Sequence, residues 1–584
     1  MLVLGISCFF HDSSATLLKD GKIIAAAEEE RFTRKKHDTA FPYNSISFCL
    51  KQAKILPKDV TTIAFYEKPL IKFERVLASH IHSFPKSLWT FYLAMPSWIK
   101  EKLRVNSILS KLNLNSETFF IPHHLCHAAS SFLVSPFKSA AIVTLDGVGE
   151  WTTTAYGTGF GNSIRLTHEL RFPHSLGLLY STVTAFLGFS VNNSEYKVMG
   201  LSAFGNQDKT SNVYYQKMRK LIDLKNDGSF ALDMNYFVYH YKDKMPSQKF
   251  ISEFGEIRRP EEPIKSSHKD IAATVQLVTE DVYFTLLNYV ARKTGLQNVC
   301  LAGGVALNSV ANGKILSKTP FRNVFIQPAA GDGGTSLGAA FYAYNSILNN
   351  KRVFIQKNSY LGPEYTDNEI ENFLKQNSIN YRKINSRDKF LNTVARLIWQ
   401  NKIVGWFQGR MEWGPRALGA RSILANPLNP KMKQIINLKV KHREKFRPFA
   451  PSVCVEDANK YFQIDKNIPP PCDFMMMVFP VKERWQKILP AITHVDNTAR
   501  IQTVRRSENP LYYDLIKTFG KISGIPIIIN TSFNIRGEPI VASPYDAYRC
   551  MMGTEIDYLA MGSFLIKRED NIKDVWDSEK LAKD

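Results

Sequence analysis

Apolar and small residues alternate through LVLGISCFFHDSSATLLKDGKIIAAAEE (residues 2–29), which predicts strand, turn, strand, an Asp-Gly turn and a third strand. AAIVTLDGVGEWTTTAYGTGFGNSIRLTHE (140–169) repeats the pattern, its first strand again ending at an Asp among small residues. Helical segments separate the two. A third βα unit, NVCLAGGVALNSVANGKIL (298–316), precedes FIQPAAGDGGTSLGAAFYAY (325–344). After Tyr344 the composition turns polar, rich in Asn, Lys and Ser, over residues 345–392. A second α/β region then runs to about residue 566, with KIVGWFQG and GIPIIINTSFNIRGEPIV as its strand-like runs. The expected organisation is residues 1–344, a connector 345–392, a domain 393–566 and a charged peripheral tail 567–584.

A duplicated α/β domain with glycine-rich turns after its strands implies a nucleotide cleft between its halves. The layout resembles the acetate-kinase/actin/sugar-kinase superfold. With 584 residues the chain exceeds one ordinary core, so two or three domains are expected. Hydrophobic residues at 44% and charged residues at 22% describe a folded globular chain and exclude disordered, collagenous and coiled-coil classes. No stretch approaches the ~18 apolar residues of a membrane span, and MLVLGISCFF lacks the basic start of a signal peptide. No membrane partner is therefore expected. The seven cysteines are scattered, without a CxxC pair, which argues for reduced thiols and a cytoplasmic location. The net charge of +22 fits anionic partners, but also a merely lysine-rich surface.

Four constellations carry candidate chemistry. His123 and His127 in HHLCH share a helix face and can chelate one ion. Asp146, ending IVTLD, and Asp332, in AAGDGGTSLG, add carboxylates from two further turns, though each Asp could equally cap its own turn. Two histidines and two carboxylates suit iron, manganese or zinc better than calcium. Second, GGVALN (303–308) and the GDGG loop could cradle phosphate or ribose through backbone N–H groups, or simply permit tight strand–helix packing. Third, His11 and Asp12 follow the first strand, where His11 could act as a general base or be structural, and Lys36 in EEERFTRKKH could meet a phosphate. Fourth, Arg416, Arg421, Lys441, Arg443, Arg447, Arg500 and Arg536 form a basic set. Converging guanidiniums bind a compact anion bidentately; RNA phosphate is the rival, but no stacking aromatics are interleaved.

Together FHDSSATLLKDGKIIAAAEEERFTRKKH, HHLCHAASSF, TLDGVGE, MGLSAFG, LAGGVALNSVANGK, GDGGTSLGAA, GPRALGARSILANP, KHREKFRPFAPSV, DNTARIQTV and NTSFNIRGEPIV resemble, in order over residues 10–541, the ATP-dependent O-carbamoyltransferases of nodulation-factor and antibiotic biosynthesis. The resemblance implies a duplicated actin/sugar-kinase-like (ASKHA) domain followed by a YrdC-like α/β domain. It implies carbamoyl phosphate and ATP as substrates, Mg²⁺ accompanying ATP, a carbamoyl-adenylate intermediate, and a small hydroxylated acceptor. On that reading Lys441, Arg447, Arg416, Arg500 and Arg536 form the carbamoyl phosphate pocket, with Asn530 and Asn534 beside it. His123, His127, Asp146 and Asp332 hold Fe²⁺, His11 takes the acceptor proton, and Lys36, Gly303, Gly304, Asn308 and Gly331 contact nucleotide. The family's members are often dimeric, so a homodimer is compatible with it. A tRNA threonylcarbamoyladenosine-type enzyme and, below it, a non-catalytic nucleotide-binding switch are the alternatives. Residues 70–115 and 207–265 are the least motif-like and are expected to shape the acceptor pocket.

Overall fold

The computed structural model describes residues 1–112, 116–444, 446–465 and 467–571. The chain divides into two units: Met1–Glu29 with His37–Gln356, and Glu30–Lys36 with the chain from Lys357 on.

In the first unit, β1 (Leu2–Ser7), β2 (Ser14–Lys19), β3 (Lys22–Glu28), β4 (Thr62–Phe65) and β5 (Glu117–Phe120) form a sheet ordered β3-β2-β1-β4-β5. β6 (Ser139–Leu145), β7 (Thr152–Phe160), β8 (Ser163–Arg171), β11 (Asn298–Ala302) and β12 (Asn323–Ile326) form a second, ordered β12-β11-β6-β7-β8. Read from their outer meander strand, the two orders are the same. Each sheet has an antiparallel meander of three strands followed by two parallel ones. The duplication expected from residues 2–29 and 140–169 is therefore present, and it defines the actin/sugar-kinase-like layout. A hairpin of β9 (Ile222–Leu224) and β10 (Phe230–Leu232) lies apart from both. The helix Thr335–Phe341 packs between β1 and the helix His123–Phe132 at close range: a Cβ on Gly5 would meet Ser336 O at 1.9 Å, and one on Gly338 would meet Cys126 O at 1.8 Å.

In the second unit, β13 (Arg382–Lys383), β14 (Val404–Phe407), β15 (Arg421–Ala425), β16 (Ala450–Cys454), β19 (Gln502–Val504), β20 (Ile527–Ser532), β21 (Tyr558–Met561) and β22 (Phe564–Lys567) form one sheet, ordered β13-β22-β21-β14-β15-β20-β16-β19. The short pair β17 (Val478–Pro480) and β18 (Thr498–Arg500) lies beside it in sequence. Helices Arg387–Trp399 and Pro510–Ser523 bury Phe390, Val394, Ile398, Leu515, Ile516 and Phe519 against Trp406, Leu424 and Ile528. This is a mixed α/β domain, as the strand-like and helical runs of residues 393–566 lead one to expect.

The polar stretch 345–392 is more ordered than a connector. A π-helical turn, Tyr342–Ile347, ends the first unit's helical run, while helix Asp367–Gln376 and the start of Arg387–Trp399 belong to the second. In helix Asp367–Gln376, Ile370 and Leu374 are buried apolar positions that the Asn- and Lys-rich composition conceals. Of the tail 567–584, residues past 571 lie outside the described residues. All seven cysteines are buried and none forms a disulfide. Among the described residues, no helix is long and apolar enough to cross a membrane.

Candidate functional site

Four side chains meet inside the first unit. His123 and His127 project from one face of helix His123–Phe132, Asp146 follows β6, and Asp332 opens the turn before helix Thr335–Phe341. His123 Nε2 lies 3.0 Å from His127 Nε2 and 3.2 Å from Asp146 Oδ2. Asp332 Oδ1 is 3.7 Å from each imidazole Nε2, and His127 Nε2 is 3.8 Å from Asp146 Oδ2. Ligand atoms about 2.1 Å from a transition metal are separated by roughly 3.0 Å at right angles and roughly 3.4 Å at tetrahedral angles, so this spacing fits one ion. The donor set is also of the right kind. Both Asp332 carboxylate oxygens are buried without a hydrogen bond, an arrangement that is costly unless a cation balances them.

The neighbouring charges act strongly on one another. Burial alone would lower the His127 pKa, but Asp146 and Asp332 override it and raise it to about 9. Burial likewise opposes ionisation of Asp146, yet His123 and His127 hold its carboxyl well below the usual range. Supporting groups fix the ligands. The Gly304 N–H donates to Asp146 Oδ1 at 2.9 Å, leaving Oδ2 toward the histidines. Glu150 accepts the His123 N–H at 3.0 Å, so a carboxylate seats the start of that helix. A Cβ on Gly149 would stand 2.9 Å from His123 Cδ2 and 3.0 Å from its Cβ. Gly149→Ala is therefore expected to displace the imidazole and cost about 1–3 kcal/mol, with metal affinity falling roughly tenfold or more. Metal competition titrations read the second effect, and unchanged affinity would show that His123 is not a ligand.

His11 lies in the turn after β1, where Asp12 has a left-handed backbone (φ 62°). Asp12 Oδ2 is 3.1 Å from His11 Nδ1, and Asp12 Oδ1 is 2.6 Å from Nδ1 of His37, whose Nε2 is 3.0 Å from Asn193 Oδ1. Burial works against both members of the first pair. Even so, Asp332, Asp12 and Asp146 raise the His11 pKa to about 10, and hydrogen bonds from His11 and His37 keep the Asp12 carboxyl well below its usual range. His37 was within a quoted motif but carried no expected role; nothing in the spacing of residues 12 and 37 signals that they meet.

In the second unit, burial first and then the like charges of Arg416, Arg443 and Arg447 push the Arg500 pKa well below its usual value. The charges acting most strongly on this guanidinium are all positive. Arg500 Nε is buried without a hydrogen-bond partner, as is Asn530 Oδ1; Asn530 Nδ2 donates to Gln502 Oε1 at 2.8 Å. Glu412 shapes the loop that carries Arg416, its Oε1 accepting from the N–H groups of Leu418, Ala420 and Arg421 at 2.6–3.1 Å. Arg447 stands 3.6 Å from Glu444.

Other expected residues have different surroundings. Lys441 Nζ donates to Ser532 O at 2.5 Å and to Asn534 O and Oδ1 at 2.9 and 2.8 Å, so it pins the turn after β20. Burial, with Arg443, Arg447 and Lys36 adding and Cys550 opposing, lowers its pKa strongly. Lys36 thus groups with the second unit and not with the first, where the sequence placed it. Arg421 is fully buried, donates to Gln408, Ala420 and Pro363 carbonyls, and covers the Phe407 ring at 3.6 Å, which makes it a structural arginine. Arg536 sits partly exposed in a turn closed by Asn534 Nδ2 donating to Glu538 O. The Gly303 and Gly304 N–H groups go to Ala330 O and Asp146, and the Asn308 amide pairs with Gln276. Only Gly331 of that expected group stands beside open space, with Leu307 Cδ1 the nearest atom, 4.0 Å from a built Cβ.

His494 borders the arginine cluster. Burial, partly offset by Asp496 and reinforced by Arg500 and Lys433, lowers its pKa from 6.5 to about 4. The unfolded chain then binds the extra proton between those values, so this contribution to stability is full above pH 6.5 and is lost as pH falls toward about 4. His494→Asn is expected to show a shallower fall in unfolding temperature across that window than the parent chain. Superimposable pH profiles in thermal melts would sink this assignment.

The fold and these two sites define an α/β protein with a buried histidine–carboxylate centre in one unit and a cluster of arginines in the other. The chain belongs to the carbamoyltransferase family: the carbamoyltransferase N-terminus model matches residues 2–341 and the carbamoyltransferase C-terminus model matches residues 395–568. It is a group-transferring enzyme on that basis. It is 46% identical to Uncharacterized protein sll1178 of Synechocystis sp., over 97% of this chain and 96% of the relative. It is 36% identical to Nodulation protein NolNO of Sinorhizobium fredii, over 98% of this chain and 81% of the relative. Among solved structures, component A of (R)-2-hydroxyglutaryl-CoA dehydratase from Acidaminococcus fermentans is 16% identical with a TM-score of 0.31, over 60% of this chain and 100% of that one.

Proposed function

We propose that the chain is an ATP-dependent O-carbamoyltransferase that makes carbamoyl-adenylate in its second unit and transfers the carbamoyl group in its first. The observation that carries this reading is the convergence of Arg416, Arg443 and Arg447 on Arg500, which favours a small, multiply charged anion. Carbamoyl phosphate is such an anion. Loss of its phosphate to water leaves carbamate, whose oxygen attacks the α-phosphorus of Mg²⁺-bound ATP; the α–β bridging P–O bond breaks and pyrophosphate leaves. The arginines hold the phosphates without reorganising as charge shifts, and Asn530 Oδ1 is an acceptor for the carbamoyl N–H.

In the first unit His123, His127, Asp146 and Asp332 would hold a divalent transition metal, iron(II) by family resemblance. When bound, the ion supplies Lewis acidity at the carbamoyl-adenylate and balances two of the three carboxylates that keep His11 protonated. His11 Nε2 takes the proton of the acceptor hydroxyl while Asp12, itself held by His37, fixes the ring through Nδ1. The hydroxyl oxygen bonds to the carbamoyl carbon, the bond from that carbon to the adenylate oxygen breaks, and AMP leaves. The acceptor is a small hydroxylated molecule, and a cytoplasmic location suits these substrates.

Pyrophosphate release from ATP, measured with and without carbamoyl phosphate and with no acceptor, tests this directly. Release that requires carbamoyl phosphate is expected. Release absent with Fe²⁺ and Mg²⁺ supplied, both alone and with hydroxylated acceptors added, would overturn the adenylate chemistry and return attention to a tRNA substrate or a nucleotide switch.

A further inference from the structure

The stretch from Leu70 to Ile99 holds nine of the 23 large apolar side chains exposed among the described residues. It forms a helical hairpin, α1 (Pro69–His82) and α2 (Leu88–Lys100). Trp98 turns inward, buried against Phe73 with ring centroids 5.4 Å apart. The outward face of α2 is the unusual one: Leu88, Trp89, Tyr92, Leu93 and Ile99 are 57–70% exposed, and Ile81 of α1 is 68% exposed. Trp89 and Tyr92 stack on each other at 6.0 Å, covering an apolar strip without burying it. A soluble helix ordinarily turns such residues inward, and an exposed contiguous patch of this kind marks an interaction surface. Charge is arranged around it. Residues 68–111 contain six Lys and two Arg against two Glu, a net +6, and Lys86, Lys100 and Arg104 at the hairpin's ends are exposed.

We propose that this hairpin is a membrane-interface anchor that lies on an anionic lipid bilayer. Trp89, Tyr92 and Leu93 enter the boundary between headgroups and acyl chains, and Lys86, Lys100 and Arg104 meet lipid phosphates. The helices are too short and too flanked by charge to span, so the attachment is in plane. Nucleic acid is a poorer occupant because Leu88, Leu93 and Ile99 would gain nothing from it. A second copy of the chain, meeting the same face by two-fold symmetry, would set like charges against one another. The hairpin also roots beside the histidine–carboxylate centre: the Lys68 N–H donates to Glu150 Oε1 at 2.9 Å, and that carboxylate also accepts the His123 N–H. The inference stands independently of the proposed reaction, and it departs from the expectation that the chain has no membrane partner.

Flotation of the full chain with lipid vesicles tests it. Binding to vesicles containing phosphatidylglycerol is expected to exceed binding to pure phosphatidylcholine by roughly tenfold or more and to weaken with salt. The triple variant Trp89→Ser, Tyr92→Ser, Leu93→Ser should lose at least roughly tenfold in partitioning. The double variant Lys86→Glu, Lys100→Glu should lose the preference for phosphatidylglycerol. All five positions face solvent, and unchanged thermal unfolding confirms that the variants fold. Absence of flotation by the parent chain overturns the proposal, as does flotation that neither variant reduces. A concentration-dependent dimer that the triple variant converts to monomer, without vesicle binding, would assign the face to a second copy instead.

Discussion

Arg500→Met is expected to abolish carbamoyl phosphate-dependent pyrophosphate release while making the ligand-free protein more stable. The two effects have one cause. Burial and the like charges of Arg416, Arg443 and Arg447 act against the Arg500 guanidinium, so the folded chain carries electrostatic strain at this point. Replacing a poorly compensated interior ion with an apolar side chain of similar size commonly stabilises by about 1–3 kcal/mol, or roughly 2–12 °C in a domain of this size. The same strain is what a phosphate relieves. Carbamoyl phosphate should therefore raise the unfolding temperature of the parent chain through mass action and leave that of Arg500→Met unchanged, while its rate falls by about 10³-fold or more. Calorimetric melts with and without carbamoyl phosphate separate these results. A variant that is less stable than the parent and still shifted by the ligand would mean that Arg500 is a framework residue like Arg421.

The two arginines show what a sequence can and cannot tell. Both lie among the basic residues of the second region, and nothing in their spacing distinguishes them. The difference comes from tertiary placement: Arg421 finds three carbonyls and the Phe407 ring, whereas Arg500 finds other guanidiniums. The duplicated sheets were legible because a period of two and an Asp-Gly turn are local features, repeated at residues 2–29 and 140–169. The histidine–aspartate quartet was legible because few residue types ligate a metal and the HxxxH spacing is itself helical. GGVALN was half-legible. A glycine pair after a strand signals close approach, and here Gly303 does adopt φ 93° with a Leu145 carbonyl where a Cβ would stand. What approaches is protein, since the Gly304 N–H holds Asp146. His37 and Glu412 act through contacts that fold back over 25 residues or around a loop, and no one-dimensional pattern records them.

His123→Ala is expected to leave pyrophosphate release within about twofold of the parent and to stop carbamoyl transfer, by about 10³-fold or more. The argument rests on the division of the chain: His123 belongs to the first unit, and the arginine cluster lies wholly in the second. Metal content should fall from about one ion per chain to a small fraction of that, because three remaining donors bind a divalent ion far more weakly than four. The substitution also removes the imidazole that stands 3.2 Å from Asp146 Oδ2, which costs about 1–3 kcal/mol where a buried polar group loses its partner. His123→Gln keeps the volume beside Tyr66 and separates loss of ligation from loss of packing. Both variants should lose the rise in unfolding temperature that the metal gives the parent chain. If His123→Ala and Arg500→Met lost the same step, the assignment of two chemical centres to the two units would fail, because a residue holding a metal for transfer has no means of reaching the adenylation step except through the fold as a whole.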